Sequence, residues 1–226
     1  MRNLNQFKKV AILAAKKASK ILEKEFKNFD RTKIKFKSRH EIVSTADLKA
    51  EKIILKIIKT NFPDHAILSE ESGQNKKKSD FLWIIDPLDG STNFSFHNPF
   101  FTTSIGVVYK NEIVLGVIYA PVLNELYLGE LGKPAFLNGK KISVSKVSQN
   151  SKSLNAFCHS SREKDIRRAV KYYQKQKIHG FDCRQIGSAS LELAYVAAGR
   201  IESIAIPGAH PWDVVAGALL VRGAGG

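Results

Sequence analysis

Asp86 and Asp89 follow the apolar run Trp83-Ile84-Ile85 and are separated only by Pro87 and Leu88. A short run rich in β-branched residues reads as a buried strand, and Pro87 and Gly90 punctuate a turn after it. Ser91 and Thr92 then suit the opening of a short helix to about Phe96. Carboxylates on a rigid turn beside a helix start are the hard oxygen ligands that a cation such as Mg²⁺ prefers, and the ion can bridge them to a phosphate. Other acidic residues stand at the ends of separate segments: Asp47 after Val43-Ser44-Thr45-Ala46, Glu70 and Glu71 after Ala66-Ile67-Leu68-Ser69, and Asp213 after Trp212. Each alone reads better as a helix cap or a turn residue. Together they gather like charge, which calls for a compensating cation.

The elements that position these groups follow from periodicity. Residues 4–26 place Leu4, Phe7, Ala11, Ala14, Ala18, Ile21 and Leu22 at threes and fours, the pattern of an amphipathic helix with lysines outward. Residues 32–43 read as an irregular, lysine-rich strand or loop. A helix from about Asp47, with Ile53, Ile54, Ile57 and Ile58 inward, stops near Asn61-Phe62-Pro63 because proline forbids continuation. Ala66–Leu68 reads as a short strand, and Lys76-Lys77-Lys78 as an exposed loop. A β-meander covers Thr102–Tyr109, Ile113–Tyr119, Leu126–Glu130, Ala135–Leu137 and Ile142–Val144, with turns at Lys110-Asn111-Glu112 and Asn138-Gly139. Residues 154–158 form another strand and Glu163–Lys177 a surface helix. Gln185-Ile186-Gly187-Ser188-Ala189-Ser190 joins a strand to a helix through Ala198; its small residues suit either close approach to a ligand or tight helix–sheet packing. Ile201–Ile206 reads as a strand, and Asp213–Val221 as a helix with Val214, Val215, Ala218 and Leu219 inward.

Composition narrows the class. With 226 residues and a 43% hydrophobic share the chain can build one substantial core. Two cysteines, Cys158 and Cys183, are too few and too weakly patterned for a disulfide framework or a zinc site, which fits a reducing cytoplasm. No apolar run approaches the ~18 residues that span a bilayer, so a membrane partner is not expected. The net charge of +15 favours anionic partners, either a phosphorylated small molecule or nucleic acid, and does not choose between them.

Trp83–Phe94, with its Asp-Pro-Leu-Asp-Gly-Ser core, resembles the first signature of the inositol monophosphatase family, and Pro211-Trp212-Asp213-Val214-Val215-Ala216-Gly217 ending in Ala224-Gly225-Gly226 resembles the second. Ser69-Glu70-Glu71 and Val43-Ser44-Thr45-Ala46-Asp47 match two intervening elements in order and spacing. The resemblance implies an α+β fold, a layered α-β-α-β-α sandwich. It forms one domain over 1–226, with an N-terminal part over 1–145 and a C-terminal part over 146–226. It implies two or three Mg²⁺ ions held by Glu70, Asp86, Asp89, Asp213 and the backbone carbonyl of Leu88. Asp47 and Ser91 would form the dyad that orients or deprotonates the attacking water, helped by Glu70. The amides of Gly90 and Ser91 would hold the phosphate, with Thr92 beside them, and Lys37 would point to the outer metal or remain a surface lysine. The implied activity is lithium-sensitive hydrolysis of inositol monophosphate or a related sugar phosphate. The rival is a nucleic-acid-associated or regulatory protein on the same scaffold.

Three departures qualify the resemblance. Ser91 replaces the commoner threonine and keeps the hydroxyl. Ile206 stands where many inositol-hydrolysing members carry a glutamate that contacts substrate hydroxyls, so the alcohol end falls to Gly187, Ser188, Ala189 and the Pro207–His210 loop. Family members usually continue past Gly226 with a further strand. The sequence therefore reads either as a fragment or as a shortened member whose open sheet edge a homodimer would cover.

Overall fold

Small apolar residues at helical spacing make Leu4–Lys27 a 24-residue helix, α1, which buries Phe7, Val10, Ala11, Ala14, Ala15, Ala18 and Leu22. The structure, a computed structural model, describes residues 4–30, 35–38 and 41–226, and only the backbone of 35–38 and 41–43. The alanine face of α1 admits a second helix alongside, α2 (Thr45–Asn61). Ser44 caps α2, so the helix starts two residues before the expected Asp47, and the N–H of Phe62 closes it on Ile58 ahead of Pro63. The lysine-rich segment between the helices contains an antiparallel pair, β1 (Lys35–Ser38) and β2 (Glu41–Val43). The side chain of Lys37 lies outside the described residues.

The main sheet comprises β3 (Ala66–Ser69), β4 (Gly73–Gln74), β5 (Phe81–Asp89), β6 (Thr102–Tyr109), β7 (Glu112–Ala120), β8 (Glu125–Glu130), β9 (Phe136–Leu137) and β10 (Lys140–Lys141). Its order is β10-β9-β8-β7-β6-β5-β3-β4, and β3 runs parallel to β5 while β5 through β10 form the expected antiparallel meander. Ile142–Val144 is not a strand. The pairing ends at Lys140–Lys141, and the following residues instead hydrogen-bond across to Ala135 and Ala224.

The second sheet has three parallel strands, β11 (Leu154–Phe157) between β12 (Asp182–Arg184) and β13 (Ser203–Ala205), which leaves β13 as an outer strand. Three longer helices complete this part: α4 (Glu163–His179), α5 (Ala189–Ala197) and α6 (Pro211–Gly223); α3 (Ser91–Ser95) is a single short turn after β5. Helices α1 and α2 cover one face of the large sheet, α5 and α6 lie between the two sheets, and α4 packs on the outer face of the small one. The fold is therefore the α-β-α-β-α sandwich.

One feature of the large sheet places the second motif. Gly106, Gly116 and Gly129 lie abreast on β6, β7 and β8. A Cβ on Gly116 would stand 2.5 Å from the Ala216 carbonyl oxygen, and one on Gly106 would meet Val215 Cγ1 at 2.6 Å. This side-chain-free lane lets α6 rest its backbone on the sheet. The face of α6 that becomes most buried is Ala216, Gly217, Leu219 and Leu220, rather than the expected Val214, Val215 and Ala218. Asp213 is thereby carried to the sheet end where β5 finishes.

Candidate active site

Strand β5 does not stop at Pro87. Asp86 still pairs with Ser104 and Asp89 with Thr102, so three steps on β5 face two on β6, a bulge within the strand rather than a turn after it. The Thr103 hydroxyl donates to the Pro87 carbonyl at 3.0 Å, and the Leu88 amide donates to Asp86 at 3.0 Å, which fixes the bulge. It aims Asp86 into the protein, where the side chain is 2% exposed, and leaves Asp89 half-buried. Gly90 follows at φ +93°, a left-handed conformation that suits glycine, and it is also the position before α3. A Cβ there would meet the Phe100 carbonyl at 2.8 Å. Ser91 is consequently the first residue inside α3, with Gly90 at the N-cap.

Four carboxyls meet at Asp86. Burial pushes its pKa well up, and the negative charges of Glu70, Asp89 and Asp213 push it further. Burial likewise raises Asp213 to about 7 despite the His210 amide that donates to it at 2.7 Å. Asp47, on the first turn of α2, is raised to about 6, mainly by burial, and Glu71 adds repulsion. Its Oδ2 accepts from the Ser44 amide and hydroxyl at 2.9 and 2.6 Å. Among the described residues, no arginine or lysine is a named cause of these shifts. The set is a pool of oxygen donors of like charge.

Asp89 is held differently. Its carboxylate accepts from the Ser188 hydroxyl (2.7 Å), the Ala189 amide (3.2 Å), the Ser190 amide (2.7 Å) and the Ser190 hydroxyl (2.5 Å), all at the start of α5. Ser188 and Ala189, expected on the alcohol side of a ligand, are buried here and cap Asp89, while Gly187 stands half-buried against Gly90. Thr92 is exposed on α3. Among the described residues no three His, Cys, Asp or Glu side chains stand ready as a metal group, and both oxygens of Asp89 are taken by α5.

The comparisons with known proteins agree with this architecture. The family model described as "Inositol monophosphatase family" matches residues 3–226. The chain belongs to the inositol monophosphatase family. It is 36% identical over 229 residues to a protein named Nus factor SuhB from Pasteurella multocida, covering 99% of this chain and 84% of that one. Among solved structures, extragenic suppressor protein suhB from Bartonella henselae superposes with a TM-score of 0.91 at 34% identity, covering 97% of this chain and 85% of that one. Inositol monophosphatase from Anabaena (Nostoc) sp. PCC 7120 gives 0.86 at 36% identity, covering 99% and 83%.

Within this family member, several residues that support the carboxyls escape a reading of the sequence. Glu51 lies one helical turn after Asp47 and is buried; its Oε1 accepts from the Ser69 hydroxyl (2.5 Å) and from the Ser72 amide and hydroxyl (3.0 and 3.1 Å). It thus ties down both ends of the segment that carries Glu70 and Glu71. The i, i+4 spacing from Asp47 was the available signal. Asn93 donates to the carbonyls of Phe100 and Ile186, each at 2.8 Å, and so joins α3 to the segment before α5. Nothing local to Asn93 points to that partner 93 residues away.

Proposed function

We propose that this chain is a Mg²⁺-dependent phosphate monoester hydrolase acting on inositol monophosphate or a related sugar phosphate. Membership of the family supports phosphatase activity. The observation that carries the reading is the buried Asp86 among Glu70, Asp89 and Asp213, a cluster of like charge. Oxygen-only donors fit a hard divalent ion. Glu70, Asp86, Asp89, Asp213 and the carbonyl of Leu88 would hold two or three ions, with Asp89 shared between that task and the start of α5. Bound Mg²⁺ supplies charge neutralisation for the phosphate dianion and a lowered pKa for water.

The chain's own residues do the rest. Asp47, with its pKa near 6, is ionised at neutral pH yet basic enough to accept a proton from water. Ser91, at the start of α3, would orient that water. The amides of Gly90 and Ser91, at the start of α3, would bind the oxygens of the ester. In-line attack by that water, its proton passing to Asp47, would break the ester P–O bond; the leaving oxygen takes up a proton from solvent and departs as the alcohol, leaving inorganic phosphate and no covalent phosphoenzyme.

Phosphate release from a panel of inositol, sugar and nucleotide phosphates, with and without Mg²⁺, tests the proposal. Asp86→Asn and Asp213→Asn should abolish release while the protein stays folded; undiminished turnover in both would remove the assignment. A second reading has its own support. Relatives such as that of Pasteurella multocida are named Nus factor, and α1 and α2 expose Lys16, Lys17, Lys20, Lys52 and Lys56 on one face. It predicts RNA or DNA binding that weakens with salt and survives Asp213→Asn. Binding that stays flat across a salt titration would count against it.

A further inference from the structure

Glu192 takes no part in the reaction proposed above, and the fold buries it completely in the first turn of α5. Burying a carboxyl costs free energy unless its oxygens find partners. One of them does: Oε1 accepts from the Ile186 amide at 2.6 Å, while Oε2 has no hydrogen-bond partner among the described residues. Burial raises the pKa to about 8, so at pH 7 the group is mostly neutral, with the proton left to Oε2. Helix α5 thus carries a fixed acceptor aimed back at the turn that leads into it.

That turn is held from both sides. The Ile186 amide is tied to α5 through Glu192, and the Ile186 carbonyl accepts from Asn93 on α3 at 2.8 Å. Gly187 follows at φ +87°, where a Cβ would come within 3.2 Å of Asn93 Nδ2. A Cβ on Gly90 would in turn stand 3.3 Å from the Gly187 carbonyl oxygen and 3.2 Å from Ser188 Cβ. Residues 186–188 therefore lie against 90–93, the segment proposed to bind phosphate. The Glu192 amide donates to the Ser188 carbonyl at 3.0 Å, so one residue grips both ends of the turn. From this turn Ser188, Ala189 and Ser190 supply the four bonds to Asp89. Groups that hydrogen-bond a ligating carboxylate orient it for the metal.

We propose that Glu192 is a positioning residue for the Mg²⁺ site: its acceptor seats the turn between α3 and α5, which aims the Ser188–Ser190 donors at Asp89. This rests on the hydrolase reading above. Glu192→Met keeps the volume and removes the acceptor. Glu192→Gln keeps an oxygen for the Ile186 amide and puts its NH₂ where Oε2 stands. The test titrates Mg²⁺ into chelator-stripped protein by calorimetry, beside thermal unfolding in chelator. The Met variant should bind Mg²⁺ about 10- to 100-fold more weakly, the range for loss of a group that orients a metal ligand, and the Gln variant within about twofold of wild type. Asn93→Ala, which cuts the same turn from the α3 side, should also weaken binding. The double variant should fall short of the product of the single effects by at least about threefold, because both act through one turn. Unchanged Mg²⁺ binding in Glu192→Met, with only its unfolding temperature lowered, overturns the proposal while the hydrolase reading stands; so does a Gln variant as weak as the Met one. If Glu192→Met does not fold, wild-type affinity in Asn93→Ala overturns it equally. A wild-type protein that binds no Mg²⁺ overturns both.

Discussion

Asp89→Asn separates a structural duty from a catalytic one. The carboxylate accepts three hydrogen bonds at Oδ2 and one at Oδ1, all from the first residues of α5. An asparagine can present its carbonyl oxygen at the Oδ2 position and keep three bonds, now neutral. Its NH₂ then faces the Ala189 N–H, so the fourth bond becomes a donor–donor contact. Charge assistance adds about 1 kcal/mol per bond over a neutral one, and a lost buried bond costs about 1–3 kcal/mol. The negative charge at the helix N-terminus contributes about 0.3–1 kcal/mol more. Asp89 is half-buried, which screens part of this, and a net loss of about 2–4 kcal/mol follows. For a chain of this size that lowers Tm by roughly 4–16 °C. The assay is thermal and urea unfolding in a chelator, so that no metal contributes. Asp213→Asn is the control: its carboxyl is raised to about 7, so a neutral amide should cost little at pH 8. Equal stability of Asp89→Asn and wild type in chelator would refute the capping argument, whatever the variant does to turnover.

Three further perturbations test the architecture around the site. Gly116→Ala puts a methyl 2.5 Å from the Ala216 carbonyl oxygen, which the helix can relieve only by lifting off the sheet; a loss of about 1–3 kcal/mol is expected in urea unfolding, with phosphate release impaired because Asp213 moves with α6. Glu51→Ala strips three hydrogen bonds from the Ser69–Ser72 segment and leaves the buried Ser69 hydroxyl without its acceptor, which should cost about 2–4 kcal/mol and raise the Mg²⁺ concentration needed for half-maximal phosphate release. Glu192 is fully buried, its Oε2 has no hydrogen-bond partner among the described residues, and burial raises its pKa from 4.5 to about 8. A carboxyl with a raised folded-state pKa stabilises below its unfolded value and loses that contribution as pH rises through the folded one. Glu192→Gln should therefore match wild type near pH 4.5 and exceed its Tm by a few degrees at pH 8.5; a constant difference across that range would show that Glu192 does not titrate as argued.

Sequence alone determined what depends on neighbours close along the chain. The alanine spacing of α1, the stop at Pro63, the meander from Thr102 and the carboxyls at the ends of apolar segments were all legible, because side-chain period and turn chemistry act within a few residues. The resemblance of two separated motifs supplied the layered fold. Tertiary structure decided what rests on distant pairing. Strand β5 runs on through Asp86 and Pro87 because β6 continues to pair with it, so the expected turn is a bulge. Gly106, Gly116 and Gly129 look like weak strand residues until α6 lies across them, and that contact selects which face of the helix is buried. Asp89 reads as a free ligand until α5, a hundred residues on, closes over it, while Asp86 and Asp213 are buried beside other carboxyls that push their pKa values up. Acidic residues could be counted from the chain. Which of them the fold satisfies, and which it leaves in want of a cation, depends on partners that only folding brings within reach.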